Sequence, residues 1–230
     1  MMERYLMTHS LLSSWLYAIQ ESPYEDATST RDSFAEFLQV LRREPTQTTE
    51  AMQNGIDFED LVTDIINGTY KPEENFVYDI NGNPEIEPNS GELMVTYRYH
   101  KWFSSAQKVA AIVGGGQLQV RTKKDITVNG MNFLLYGRLD ALKAGTIYDI
   151  KYSGSYERGK FFNSTQHPMY FELVPEANDF IYLISNGKEV YQEHYRRDEV
   201  ADITVIVGDF VLWLTENGLL ETYKQHWKAL

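Results

Sequence analysis

The chain has 230 residues, 43% hydrophobic and 13% aromatic, which suits one folded domain with a substantial core and excludes a disordered segment; with no cysteine, disulfides, cysteine zinc sites and thiolate-held iron–sulfur clusters are excluded. The net charge of -12 argues against phosphate binding, yet residues 101–160 hold 10 Lys and Arg against 4 Asp and Glu, a local +6 against -18 elsewhere, so a focused basic cleft survives. No apolar run is long enough to cross a bilayer and Met1 to Gln20 is too polar for a signal peptide, so a cytoplasmic chain without a membrane partner is expected.

Taken in order, residues 9–20 place Leu11, Leu12, Trp15, Leu16 and Ile19 at helical spacing, with Ser10 as the expected N-cap. Residues 22–29 read as a loop. A second amphipathic helix over 30–43 carries Phe34, Phe37, Leu38 and Leu41, and Pro45 ends it. A third, over 48–67, has Ile56, Phe58, Leu61, Val62, Ile65 and Ile66 as its apolar set. Gly55 and Glu59 lie four apart on one face of it. Glycine costs about 1 kcal/mol relative to alanine inside a helix, so Gly55 predicts close approach of a backbone or ligand. Glu59 is either a surface acid at the stripe's edge or a functional one.

Turn residues fill 71–92, and helical spacing resumes over 96–113 until Gly114-Gly115-Gly116 stops it. These glycines follow a helix, whereas a phosphate loop follows a strand, so they are not read as one. Residues 117–128 alternate as a strand with Leu118, Val120 and Ile126 inward and Gln119, Arg121 and Lys123 outward. Asn129-Gly130 then turns the chain into 131–142, and 146–152 completes an antiparallel meander.

If the second turn centres on Ala144-Gly145, strand partners have numbers adding to 289. Asp140 then faces Asp149, and Arg138 faces Lys151, all on one side of the sheet beside Leu142, Ile147 and Tyr136. Facing like charges destabilise a sheet unless something compensates them. A bound divalent cation is one compensation; a solvated salt-bridge network with Arg138 and Lys151 is the other. Residues 153–164, with Arg158 and Lys160, read as a mobile loop over this hairpin. A helix over 165–173 puts Gln166 and Tyr170 on one face, with Pro168 in its first turn; both side chains have ordinary readings, Tyr170 in the core and Gln166 in solvent. Strands over 179–185 and 189–195 meet at Asn186-Gly187, and 200–214 and 219–227 read as helices.

The order of these signals carries more than any one of them. Gly55 to Glu59 on a helix, Gly137 to Asp140 on a strand, Asp149 to Lys151 on the next, and Gln166 to Tyr170 on a helix together resemble the PD-(D/E)XK nuclease superfamily. The pattern looks most like its RecB-like and phage lambda exonuclease-like branch, and His9-Ser10 to Trp15 is similar to the serine-rich first helix of RecB-like nucleases. The residue before Asp140 is Leu139 where other members have proline. The resemblance implies an α+β, restriction-endonuclease-like core: a mixed, mainly antiparallel sheet flanked by helices, with an N-terminal helical elaboration. It implies one nuclease domain over 1–230, with a mainly helical part over 1–70, the catalytic core over 96–196 and C-terminal helices over 197–230.

The implied activity is Mg²⁺- or Mn²⁺-dependent hydrolysis of DNA, as an exonuclease of phage recombination type acting on double-stranded ends, with a possible single-strand annealing partner and homo-oligomer. Glu59, Asp140, Asp149 and the Ile150 carbonyl would hold the metal. Lys151 would act on the attacking water, and Gln166 and Tyr170 would hold the site and the DNA backbone. Arg121, Lys123, Arg138, Arg158 and Lys160 are the expected DNA contacts. The alternative is a catalytically inactive DNA-binding or recombination-assembly module with the same fold.

Overall fold

The computed structural model describes residues 3–19, 32–71, 85–86, 91 and 97–229, and for 97–101 the backbone alone. The loop expected at 22–29 and most of the turn-rich stretch 71–92 lie outside these residues. Along the chain run β1 (Arg4–Met7), α1 (His9–Ile19), α2 (Ser33–Leu41), α3 (Glu50–Asn67), α4 (Tyr97–Val113), β2 (Gln117–Val128), β3 (Met131–Lys143), β4 (Thr146–Tyr152), α5 (Gln166–Leu173), β5 (Asp179–Ser185), β6 (Val190–Arg196), α6 (Ile203–Glu216) and α7 (Leu220–His226). Every helix and strand read from the sequence is present. A 3-10 turn at Arg197–Glu199 and strand β1 were not expected.

Local chemistry accounts for the ends of the elements. Thr49 accepts a hydrogen bond from the Met52 amide to start α3, and Gly68, left-handed at φ 66°, closes it. Asp32 and Asp202 cap α2 and α6 in the same way. At α1 the cap is Thr8, whose Oγ1 accepts from the Leu11 amide at 3.3 Å, and Ser10 lies inside the helix. The cap moves two residues because β1 delivers the chain to the helix start.

The six strands form one mixed sheet between helices, an α+β architecture. Three pairings are antiparallel (β2–β3, β3–β4, β5–β6) and two are parallel (β1–β3, β4–β5). The second hairpin has the expected register: Ala141 pairs with Tyr148, Leu142 with Ile147 and Lys143 with Thr146. Ala144 and Gly145, at φ 50° and 78°, form the turn. Pairing stops after those three pairs, because β4 leaves β3 to run beside β5.

One core joins the sheet to α1, α2, α5, α6 and α7 around Leu11, Phe37, Phe133, Phe180 and Phe210. The other joins its opposite face to α3 and α4 around Phe58, Leu61, Val109 and Leu183. Ile56, expected with the apolar stripe of α3, is 48% exposed. Strands β2 and β3 change allegiance between the cores. Val120 and Leu139 pack on the first, whereas Leu118 and Ala141, two positions away, pack on the second. In a regular strand residues two apart share a face, so both strands reverse at the Gln119–Asp140 level. No single helix among the described residues is long and apolar enough to cross a membrane; α6 and α7 reach that length and apolarity only together, across a bend of 115°.

Candidate functional site

A gap in the sheet creates the site. Strand β2 pairs along one whole edge of β3, so β1 and β4 must share the other. There β1 takes Asn132 to Leu135 and β4 takes Ala141 to Lys143, leaving 136–140 without a strand neighbour on that edge. A cavity of about 300 Å³ opens at the gap. Tyr136, Gly137, Arg138 and Asp140 reach it from β3, Asp149, Ile150 and Lys151 from β4, Gln166 and Tyr170 from α5, Glu59 from α3, and Thr8, His9 and Ser10 from the start of α1. All six residues expected to act in catalysis therefore line one cavity, although they span more than a hundred positions.

The hydrogen bonds show how the gap is held. Asp140 Oδ2 accepts from the Ile150 amide at 2.7 Å, bridging β3 and β4 where their ladder has ended. Tyr170 donates its hydroxyl to the Arg138 carbonyl at 2.9 Å, satisfying an acceptor on the open edge. Gly137 makes room for that ring: a Cβ there would lie 2.7 Å from Tyr170 Cε1 and 2.8 Å from Leu173 Cδ1. The close approach predicted at Gly55 is not found, since a Cβ at that position meets nothing within 4 Å. The tight glycine of the motifs is the strand one.

Asp149 is 2% exposed and sits between two donors. Gln166 Nε2 donates to Oδ1. Lys151 Nζ stands 2.7 Å from Oδ2 as an ion pair but outside hydrogen-bond geometry, so Oδ2 is a buried acceptor with no hydrogen bond. The side chain of Lys151 itself is 33% exposed. Gln166 and Tyr170 are both buried, so the solvated reading of Gln166 does not hold.

The charges are strongly coupled. Burial, then Asp149 and Glu59, holds the Asp140 carboxyl well above the usual carboxylate range. For Lys151 burial acts downward, but the combined fields of Asp149, Asp140 and Glu59 outweigh it and raise the ammonium pKa, so the amine is cationic. Burial and Asp149 push the Tyr170 hydroxyl up as well, which keeps it a neutral donor.

Glu59 stands apart from the aspartates. Its Oε1 accepts from Gln119 Nε2, and Arg138 Nη2 lies 3.6 Å from the same oxygen. Among the described residues no three acidic or histidine side chains are gathered closely enough to hold a metal as they stand. A divalent cation nevertheless fits the chemistry of the two aspartates: two carboxylates, one already protonation-prone through burial and then repulsion, and one buried carboxylate oxygen met by the Lys151 ammonium alone.

The expected DNA contacts divide. Arg121 and Lys123 are exposed on β2, directly opposite Arg138 and Tyr136, so they share one open face that adjoins the cavity. Arg158 and Lys160 are exposed but do not line the cavity. Lys160 Nζ donates to Ser153 Oγ at 3.0 Å. The loop expected to be mobile is tied to β6 by Glu193, which accepts from the Tyr156 hydroxyl at 2.7 Å, the Gly159 amide at 2.8 Å and the Phe161 amide at 3.3 Å.

Sequence reasoning missed His9 as a site residue. Its ring lies edge-on to Tyr170 at 5.5 Å, and burial, helped by the Lys151 charge, lowers its pKa to about 4, so it is neutral at pH 7. Only the pairing of β1 with β3 brings it there, and a four-residue strand carries no periodic signal.

The chain matches no protein-family model and no curated protein. Among solved structures it is similar to one described as the crystal structure of SSO0001, at 20% identity and a TM-score of 0.35. That match covers 46% of this chain and 56% of the other, about half the length of each.

Proposed function

We propose that the protein is a metal-dependent DNA nuclease of the PD-(D/E)XK type, with a restriction-endonuclease-like core, acting as an exonuclease at double-stranded ends. The observation that carries the reading is the buried Asp140–Asp149 pair at the gap between β3 and β4, with Lys151 beside it and Asp149 Oδ2 lacking a hydrogen bond. Carboxylates are seldom buried together without a partner for their charge.

Asp140, Asp149 and the Ile150 carbonyl would hold Mg²⁺ or Mn²⁺, with Glu59 as a further ligand or a partner through water. Such an ion neutralises charge on a scissile phosphate and acidifies water. Around it, Gln166 fixes the rotamer of Asp149 through Oδ1, and Asp140 is fixed by the Ile150 amide. Lys151, kept cationic by the acids, places positive charge where negative charge grows on the phosphoryl oxygens. Arg121, Lys123 and Arg138 offer a basic strip for the DNA backbone next to the cavity.

A second reading, an inactive DNA-binding module of the same fold, is favoured by one observation: the Lys151–Asp149 ion pair already offsets charge without a metal. Calorimetry with Mn²⁺, together with Mg²⁺-dependent cleavage of end-labelled linear and closed circular DNA, separates the two. The nuclease reading expects Mn²⁺ binding and loss of the linear substrate alone, both abolished by Asp149→Asn. DNA binding with no Mn²⁺ uptake selects the inactive module, and cutting of the closed circle defeats the exonuclease assignment.

A further inference from the structure

Of the three carboxylates on the cavity, Glu59 is held by a side chain of β2, and the residue that holds it has an unusual backbone. Gln119 has φ 53°. Among the described residues the other non-glycine positions with positive φ, Arg43, Asn129 and Ala144, follow a helix end or sit in hairpin turns, whereas Gln119 lies inside β2. It stands opposite Asp140 at the one level missing from an otherwise continuous β2–β3 register, where both strands exchange faces.

Left-handed backbone is disfavoured for a residue with a long side chain and persists only where its surroundings impose it. Glycine or asparagine would meet the backbone demand more easily. The glutamine supplies a side-chain amide that reaches Glu59 Oε1, which glycine lacks. Arg138 approaches that same oxygen, at 3.6 Å, so Glu59 Oε1 is held from both β2 and β3.

We propose that Gln119 is a positioning residue: the reversal of β2 aims its amide at Glu59 Oε1, holding that carboxylate at the wall of the cavity, where it assists through water the binding of a divalent cation by Asp140 and Asp149. This rests on the metal-dependent reading above. Carboxylates that ligate metals are themselves hydrogen-bonded, and losing such a supporting partner weakens metal affinity by roughly 10- to 100-fold.

The test uses the full chain with Gln119→Ala and Gln119→Gly, each alone and combined with Glu59→Ala, together with Glu59→Ala alone. Mn²⁺ affinity is measured by calorimetry, and the thermal midpoint of the metal-free protein is measured in EDTA. Both single variants are expected to bind Mn²⁺ about 10- to 100-fold more weakly while staying folded. Gln119→Gly should melt above Gln119→Ala, since glycine is at ease at this φ. In the Glu59→Ala background either Gln119 substitution should weaken binding no further, because Gln119 acts through Glu59. Unchanged affinity in both Gln119 variants, with binding abolished by Asp149→Asn, overturns the proposal and leaves the nuclease reading standing. Fully additive losses also overturn it, and no Mn²⁺ uptake by the unaltered protein overturns both.

Discussion

The backbone N–H of Ile150 donates to Asp140 Oδ2 at 2.7 Å, across the point where β3 and β4 stop pairing. The side chain thus replaces a ladder hydrogen bond and holds an acid at the fork. Asp140 has a folded pKa well above its ordinary value, so the metal-free folded protein binds more protons than the unfolded chain between those two values. This contribution to stability is complete below the ordinary carboxylate range and is lost as pH rises through the folded pKa. Asp140→Asn keeps an acceptor for Ile150 and removes the repulsion. In EDTA, urea unfolding from about pH 4 to 8 should show the wild type losing ground to Asp140→Asn as pH rises. Parallel curves would disprove the burial and repulsion argued for Asp140.

Lys151 is the only cation paired with Asp149 among the described residues, and it is part of neither core. Lys151→Ala is therefore expected to lower the rate of Mg²⁺-dependent cleavage by about 10²- to 10³-fold. Circular dichroism of the variant should match the wild type. Full activity in this variant removes Lys151 from the mechanism.

Two glycines of the motifs should respond to alanine with opposite signs. At Gly137 the new methyl meets Tyr170 and Leu173 below 3.0 Å, which predicts a loss of about 1–3 kcal/mol in urea unfolding and a displaced Tyr170. At Gly55 the methyl meets nothing within 4 Å inside a helix, which predicts a gain of roughly 0.5–1 kcal/mol. Equal effects at the two positions would contradict the packing described for α5 against β3.

Glu193 anchors the 153–164 loop. Burial acts to raise its pKa, but donors from Tyr195, Tyr156 and the Gly159 and Phe161 amides outweigh that and lower it. A depressed carboxyl contributes stability above its unfolded pKa and loses it as pH falls through the folded one. Glu193→Ala should lose about 1.5–3 kcal/mol near neutral pH, the scale of hydrogen bonds to a charged group, and less in acid. Limited proteolysis should cut within 153–164 faster in this variant; an unchanged rate would mean that the loop is held by other contacts, such as Phe161 stacked on Tyr182.

What the amino-acid sequence determined was local. Gly145, next to Ala144, was enough to place a tight turn and the three pairs that close it, Ala141 with Tyr148, Leu142 with Ile147 and Lys143 with Thr146; the facings expected beyond them, Asp140 with Asp149 and Arg138 with Lys151, are not made, because β4 has by then left β3 for β5. Periodicity located α1 through α7, because a buried stripe at helical spacing is written in neighbouring residues. What only the tertiary structure decided depended on pairing between distant segments. Strand β1 covers only Asn132 to Leu135 on one edge of β3 from more than a hundred residues away, and that leaves the gap and brings in His9. The face reversal at Gln119 and Asp140 is equally non-local: the hydrophobic pattern of either strand alone continues through it, and only packing against two different helical layers shows which way each residue turns. Glu59 could be placed on a helix face from its spacing to Gly55, but its partner on β2 lies 60 positions on, where no short-range rule reaches.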